Sequence, residues 1–182
     1  MTKPLRLFLI GLIAMVGCMR ERRDGDETVG HGTVTTLELG LVKGNDTIWG
    51  RYKDPDGYGG RPPSVDTLRP DPNTEYSYFI RLRNESGNPP EDLTQAIIEG
   101  QKDYHRFFFL LEPETLAQVT PQDQDSRGKP IGAKGKWVQG PSSILSGRAR
   151  ILLRHYLSAA DKDYGLERGS TDIDATIPVK AP

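Results

Sequence analysis

Cysteine is almost missing from this sequence, with one in 182 residues. A single thiol excludes an internal disulfide and any site built from several thiolates. Strong charge of one sign is missing too. The chain carries 24 Lys and Arg against 25 Asp and Glu. Setting aside the first 17 residues, which hold Lys3 and Arg6, leaves 22 against 25, or about −3. Such a body has no basic field for phosphates, which excludes nucleic acid as a main partner. Hydrolytic signatures are absent as well. Ser142, Ser143 and Ser146 lie outside any G-x-S-x-G elbow, and neither H-E-x-x-H nor a phosphate-cradling Gly loop occurs. The sequence therefore predicts a protein without catalytic activity. A small hydrolase is retained as an alternative, because two carboxylates opposed across a cleft leave no sequence signature.

What is present begins at the amino terminus. Lys3 and Arg6 form a short basic head, and Leu7 to Val16 is an apolar run. That layout is a secretory signal. The run is shorter than the roughly 20 residues of a permanent span. It ends in Met15-Val16-Gly17-Cys18, which resembles the cleavage box of bacterial lipoproteins, with Cys18 as the residue that receives lipid. The expected organisation is a signal peptide over 1–17, a flexible tether over 18–31 and one folded domain over 32–182. The tether is charged, aperiodic and Gly-containing, and its His31 is read as inert. A body of this length suffices for one core and is short for two.

Alternation with period two dominates the rest. Leu37, Leu39 and Leu41 share one face of a strand over 33–42, and Lys43 to Asp46 is a turn leading into a strand over 47–53. Asp54 to Pro72 reads as a long loop with at most a short edge strand. Strands follow over 74–84, 104–111, 134–138, 145–157 and 173–179. Phe107, Phe108 and Phe109 in succession predict a central strand that is apolar on both faces. Asn88-Pro89-Pro90-Glu91 supplies an N-cap, a first-turn Pro and an acid, so a helix of two to three turns is expected over 88–102. Residues 112–130 read as loop. The fold class is all-β, an immunoglobulin-like β-sandwich of about seven strands with one short inserted helix. A small β-barrel is the runner-up.

Three constellations carry chemistry. Asp54 with Asp56, Asp123 with Asp125, and Asp161 with Asp163 each place two carboxylates two residues apart near a Gly turn. Such pairs can converge on Ca²⁺, with Asp123 and Asp125 the first choice, and they also build Asx-turns that need no ion. Asp172 and Asp174 read as a solvated strand edge. His105 and His155 both point to the apolar side of their strands, where two imidazoles can bind Cu or Zn if further ligands join them. The simpler expectation is a hydrogen-bonded, half-buried ring in each strand. Arg148, Arg150 and Arg154, with Tyr156, line one strand. They form either a binding surface for a glycan or another envelope protein, or a solvated face that discourages edge pairing.

Four segments together resemble small lipoproteins of Bacteroidota. They are Glu99 to Phe109, Gly128-Lys129-Pro130-Ile131-Gly132, Leu153-Arg154-His155 and Thr171 to Val179. The resemblance implies a β-rich envelope lipoprotein and supplies no mechanism. The combined expectation is a binding or interaction module of the bacterial cell envelope, attached to the outer membrane through lipid on Cys18, with no obligatory cofactor. A metal-binding lipoprotein, for calcium or a transition metal, is the alternative.

Overall fold

The computed structural model describes residues 33–57 and 60–182. Cys18, the expected signal peptide and tether, and His31 lie outside the described residues. Two antiparallel sheets face each other. The larger runs β3 (Ser64–Val65), β2 (Asp46–Lys53), β1 (Thr36–Lys43), β4 (Glu75–Asn84), β8 (Lys134–Gln139) and β7 (Ala117–Pro121), with β5 (Glu91–Asp92) paired to one end of β4. The smaller runs β10 (Ser170–Lys180), β9 (Ser146–His155) and β6 (His105–Glu112). This is a sandwich-like all-β domain, and no ladder closes it into the barrel that was the runner-up. Backbone hydrogen bonds stitch the sheets at both margins: Leu68, just past β3, donates its N–H to the Pro178 carbonyl and accepts from Lys180, and Phe107 of β6 donates to the carbonyl of Ile131, just before β8.

The alternating leucines place the core where period two requires. Leu37, Leu39 and Leu41 on β1 meet Tyr52, Gly50 and Ile48 across the hairpin and Leu82, Ile80 and Tyr78 on the other side. The facing sheet contributes Phe107, Ala149, Ile151, Leu153, Ile173, Ala175 and Ile177. Burying a Leu or Ile side chain of this kind contributes about 1.5–3 kcal/mol. Trp137 is fully buried and donates its indole N–H to Gln139 Oε1 at 2.9 Å, so its one polar atom is satisfied. Gly50 faces inward on β2, and a Cβ there would stand 2.9 Å from Ile177 of the other sheet. Its missing side chain sets how closely the sheets approach.

Three expectations are corrected. The helix over 88–102 is shorter: Glu91 and Asp92 pair with β4, and only Thr94 to Gly100 turns helically, its last five residues as one π-type turn. Leu93 donates its N–H to Leu82 and Thr94 Oγ1 accepts from Leu82 N, so pairing with β4 overrides the cap signal. The stretch 112–130 is not all loop, since it contains β7. The Phe107–Phe109 strand is an edge, not a centre. Its outer face meets the segment Asp161–Glu167, whose Gly165 lies against the Phe108 ring, and Arg106 stacks on that ring at 4.7 Å.

Candidate metal centre

His105 opens β6 and His155 ends β9, and the register pairs them directly. Their rings stand 4.5 Å apart between centroids, tilted by 34°. The third member comes from β10. Pairing with β9 slips between Thr171 and Ile173, leaving Asp172 as the extra residue of a bulge. A bulge re-aims a side chain, and here the Asp172 carboxylate turns to the two imidazoles. Gly169 prepares this turn. It has φ +81°, and a Cβ there would collide with the His155 carbonyl, so glycine alone fits.

The donor geometry is specific. His105 Nδ1 lies 3.0 Å from the Gln101 carbonyl oxygen. A carbonyl only accepts, so Nδ1 carries the hydrogen and the ring is oriented by it. His105 Nε2 then faces Asp172 Oδ2 at 3.2 Å. Two electron-rich atoms hold that separation when a positive centre lies between them, either a proton on Nε2 or a metal ion. His155 Nδ1 is 3.9 Å from Asp172 Oδ1, too far for a hydrogen bond and within the span of a shared ion. One ligand atom from each of the three residues falls within 4.8 Å of the others. A tetrahedral Zn²⁺ with bonds of about 2.1 Å needs donors about 3.4 Å apart, so the three would have to draw together to share one ion and would leave its fourth position open. The side chains of His105, His155 and Asp172 are 0%, 11% and 12% exposed. Two imidazole nitrogens and one carboxylate suit Zn²⁺ or Cu²⁺, whereas Ca²⁺ takes six to eight oxygens.

The acidic loops serve other ends. Asp123 accepts from the backbone N–H groups of Gly132, Ala133 and Lys134 at 2.8–3.1 Å. Asp125 accepts from Arg127 N and Lys129 N, and Lys162 Nζ reaches it at 2.7 Å with both side chains 0% exposed. The cation that sequence spacing suggests at Asp125 is therefore the chain's own ammonium. Burial alone would raise the Asp125 pKa, but Lys162 and the two amides outweigh it and hold the carboxyl below its ordinary range. Asp56 accepts from the Arg61 amide and guanidinium, which lower its pKa in turn. Asp54 lies apart from Asp56, in the wall of a cavity of about 340 Å³ that Asp172 also lines. Asp163 pairs with Arg127 and Lys129.

The arginine strand is likewise engaged within the chain. Arg148 pairs with Glu112, Arg150 with Asp174 through two bonds of 2.8 and 2.6 Å, and Arg154 with Thr171 and the carbonyls of Arg168 and Gly169. Tyr156 is fully buried and donates to the Gly165 carbonyl at 2.9 Å. It belongs to the interior and not to an exposed surface. Asp172 corrects the reading of a solvated edge: Asp174 keeps its outward parity, and the bulge removes Asp172 from it. Comparison with family models, curated proteins and solved structures found no match for this chain.

Proposed function

We propose that this chain is a transition-metal-binding protein of the bacterial cell envelope, with His105, His155 and Asp172 as ligands and Zn²⁺ or Cu²⁺ as the ion. The observation that carries the reading is His105 Nε2 facing a carboxylate oxygen at 3.2 Å while its other nitrogen is bound to a carbonyl. Attachment to the outer membrane through lipid on Cys18 is the second part of the proposal. It is supported by the basic head, the apolar run and the cleavage-box pattern, and by the resemblance to Bacteroidota lipoproteins. The proposal places the sandwich in the immunoglobulin-like class, on the strength of two antiparallel sheets joined by chain crossings between them. It assigns no turnover. A partner protein or glycan has less support, because the arginines that would bind it are already paired.

The test is thermal unfolding of chelator-treated protein with added Zn²⁺, Cu²⁺ or Ca²⁺. An ion that binds only the folded state at about 100 times its Kd stabilises by about 2.7 kcal/mol. Zn²⁺ or Cu²⁺ is expected to raise Tm, Ca²⁺ to leave it unchanged, and His155→Ala to abolish the rise. A Tm indifferent to Zn²⁺ and Cu²⁺ removes the metal reading and leaves an imidazolium–carboxylate pair.

A further inference from the structure

We propose that β6 pairs with β6 of a second copy of this chain, antiparallel about Leu110, which joins the two three-stranded sheets into one. β6 has a strand neighbour, β9, on one side only. The Tyr104 carbonyl accepts from Tyr156 N on that side, and Phe107 donates to the Ile131 carbonyl on the other. Backbone groups alternate in direction along a strand, so Phe109 and Leu111 also face away from β9. Among the described residues their N–H groups donate to no acceptor and their carbonyls accept from no donor. Such an edge is a template for another strand. The other edges are blunted. β3 and β5 have two residues each, β7 ends at Pro121, and β10 carries Pro178, the bulge at Asp172 and the Leu68 contact. β6 keeps unbroken register with β9 from His105 to Glu112 and contains no Pro or Lys.

The ends of the open stretch set the register. Phe109 opposite itself would put Leu111 of the copy opposite Phe107, whose N–H is already held by Ile131. Leu111 opposite itself would put Pro113, which has no N–H, opposite Phe109. Phe109 opposite Leu111 uses both open residues on each strand, and each such pair exchanges two hydrogen bonds. The two-fold axis then passes through Leu110. Leu110 is 40% exposed and meets its own copy, while Phe108 meets Glu112. Arg106 lies over the Phe108 ring at 4.7 Å, so the Glu112 carboxylate stands diagonal to the Arg106 guanidinium, within reach of long side chains. Glu112 holds Arg148 through Oε2 alone, which leaves Oε1 for the copy. Symmetry forms this ion pair twice. β6 thus carries both signs of charge in the order that its own antiparallel image complements, which favours a second copy over an unrelated strand.

The inference does not rest on the metal reading, since His105 lies outside the paired stretch. The test is native mass spectrometry of the full chain released from detergent micelles, together with diamide oxidation of Leu110→Cys in the same micelles. The unmodified chain is expected at twice the monomer mass. Leu110→Lys, a charge on the edge, is expected at the monomer mass, with the dimer Kd raised at least about tenfold. Directly opposed residues stand about 4.5–5.5 Å apart, inside the range that a disulfide spans. Leu110→Cys is therefore expected to form a disulfide-linked dimer, and Thr120→Cys, exposed on β7, to stay unlinked. Cys18 is the one native thiol, so the unmodified chain beside them sets the background. An unmodified chain that stays monomeric overturns the proposal. So does a dimer that survives Leu110→Lys or gives no link at residue 110. The cross-link decides alone if Leu110→Lys fails to fold.

Discussion

Asp125 and Asp172 are both carboxylates drawn in from the surface, and they are answered in opposite ways. Asp125 meets an ammonium that the chain itself delivers, Lys162 Nζ at 2.7 Å, which also donates to the Lys102 carbonyl at 2.8 Å. Asp172 meets two imidazoles at 3.2 and 3.9 Å. An ammonium brings three donors and no lone pair, so it completes the Asp125 site and closes it. An imidazole nitrogen brings a lone pair, so it can share an external cation with the carboxylate. The difference teaches where a ligand is to be sought: at the carboxylate whose countercharge is not covalently part of the fold.

The largest expected effect comes from breaking the closed site. Lys162→Met leaves Asp125 buried without its paired ammonium and is expected to lower stability by about 3–5 kcal/mol, read as the midpoint of urea unfolding. Adding Asp125→Asn should recover part of that loss. Asp172→Asn in metal-free protein should cost much less. If it costs as much as Lys162→Met, the two carboxylates are structural ion pairs of one kind and the contrast fails.

Acid separates the two sites further. Asp125 has a lowered pKa when folded, so its contribution is present above the unfolded value of about 3.9. It is lost as pH falls from there through the folded value. A ligating imidazole must be deprotonated, so acid competes with the ion for the two rings. The zinc-dependent rise in Tm should therefore shrink as pH falls, while the zinc-free protein still holds. A zinc response that persists to about pH 4 would point to carboxylate ligands alone.

Gly169→Ala tests the bulge that delivers Asp172. A non-Gly residue at φ +81° costs about 1–2 kcal/mol from backbone conformation, and the new Cβ meets the His155 carbonyl. Weaker Zn²⁺ binding should accompany the lower midpoint in urea. Lower stability with unchanged Zn²⁺ affinity would separate the turn from the site.

How much of this was legible beforehand follows from which signals are local. The β1–β2 hairpin was readable because Leu37, Leu39 and Leu41 alternate beside a turn at Gly44, and side-chain parity needs no knowledge of the partner. The His pair was half readable: parity put both rings inward, but only the β6–β9 register makes them neighbours. Asp172 was read to the wrong face, because a bulge breaks the very alternation on which the reading depends. Lys162 gave no signal, since its burial comes from the fold of the Asp161–Glu167 segment against residues distant in the chain. β7 was missed because Gln118 and Thr120 are polar and only the small Ala117 and Val119 pack against the core. β5 was missed because Glu91 and Asp92 look like a helix start until β4 is there to pair with them.

The smallest effect is expected at Arg148, and it sharpens the first comparison. Arg148 Nη2 stands 2.6 Å from Glu112 Oε2, across a registered pair of strands, a contact as short as that between Lys162 and Asp125. The Arg148 and Glu112 side chains are 62% and 71% exposed, so water screens the attraction and offsets the loss of either partner. Arg148→Ala should shift the urea midpoint by less than about 0.5 kcal/mol equivalent. In about 1 M salt, where screening acts over about 3 Å, that small shift should disappear, while the Lys162→Met loss remains. Equal contact distances would then yield unequal free energies, with burial as the variable that decides. A large, salt-resistant loss at Arg148 would mean that the outer face of the small sheet is far less hydrated than its exposure indicates.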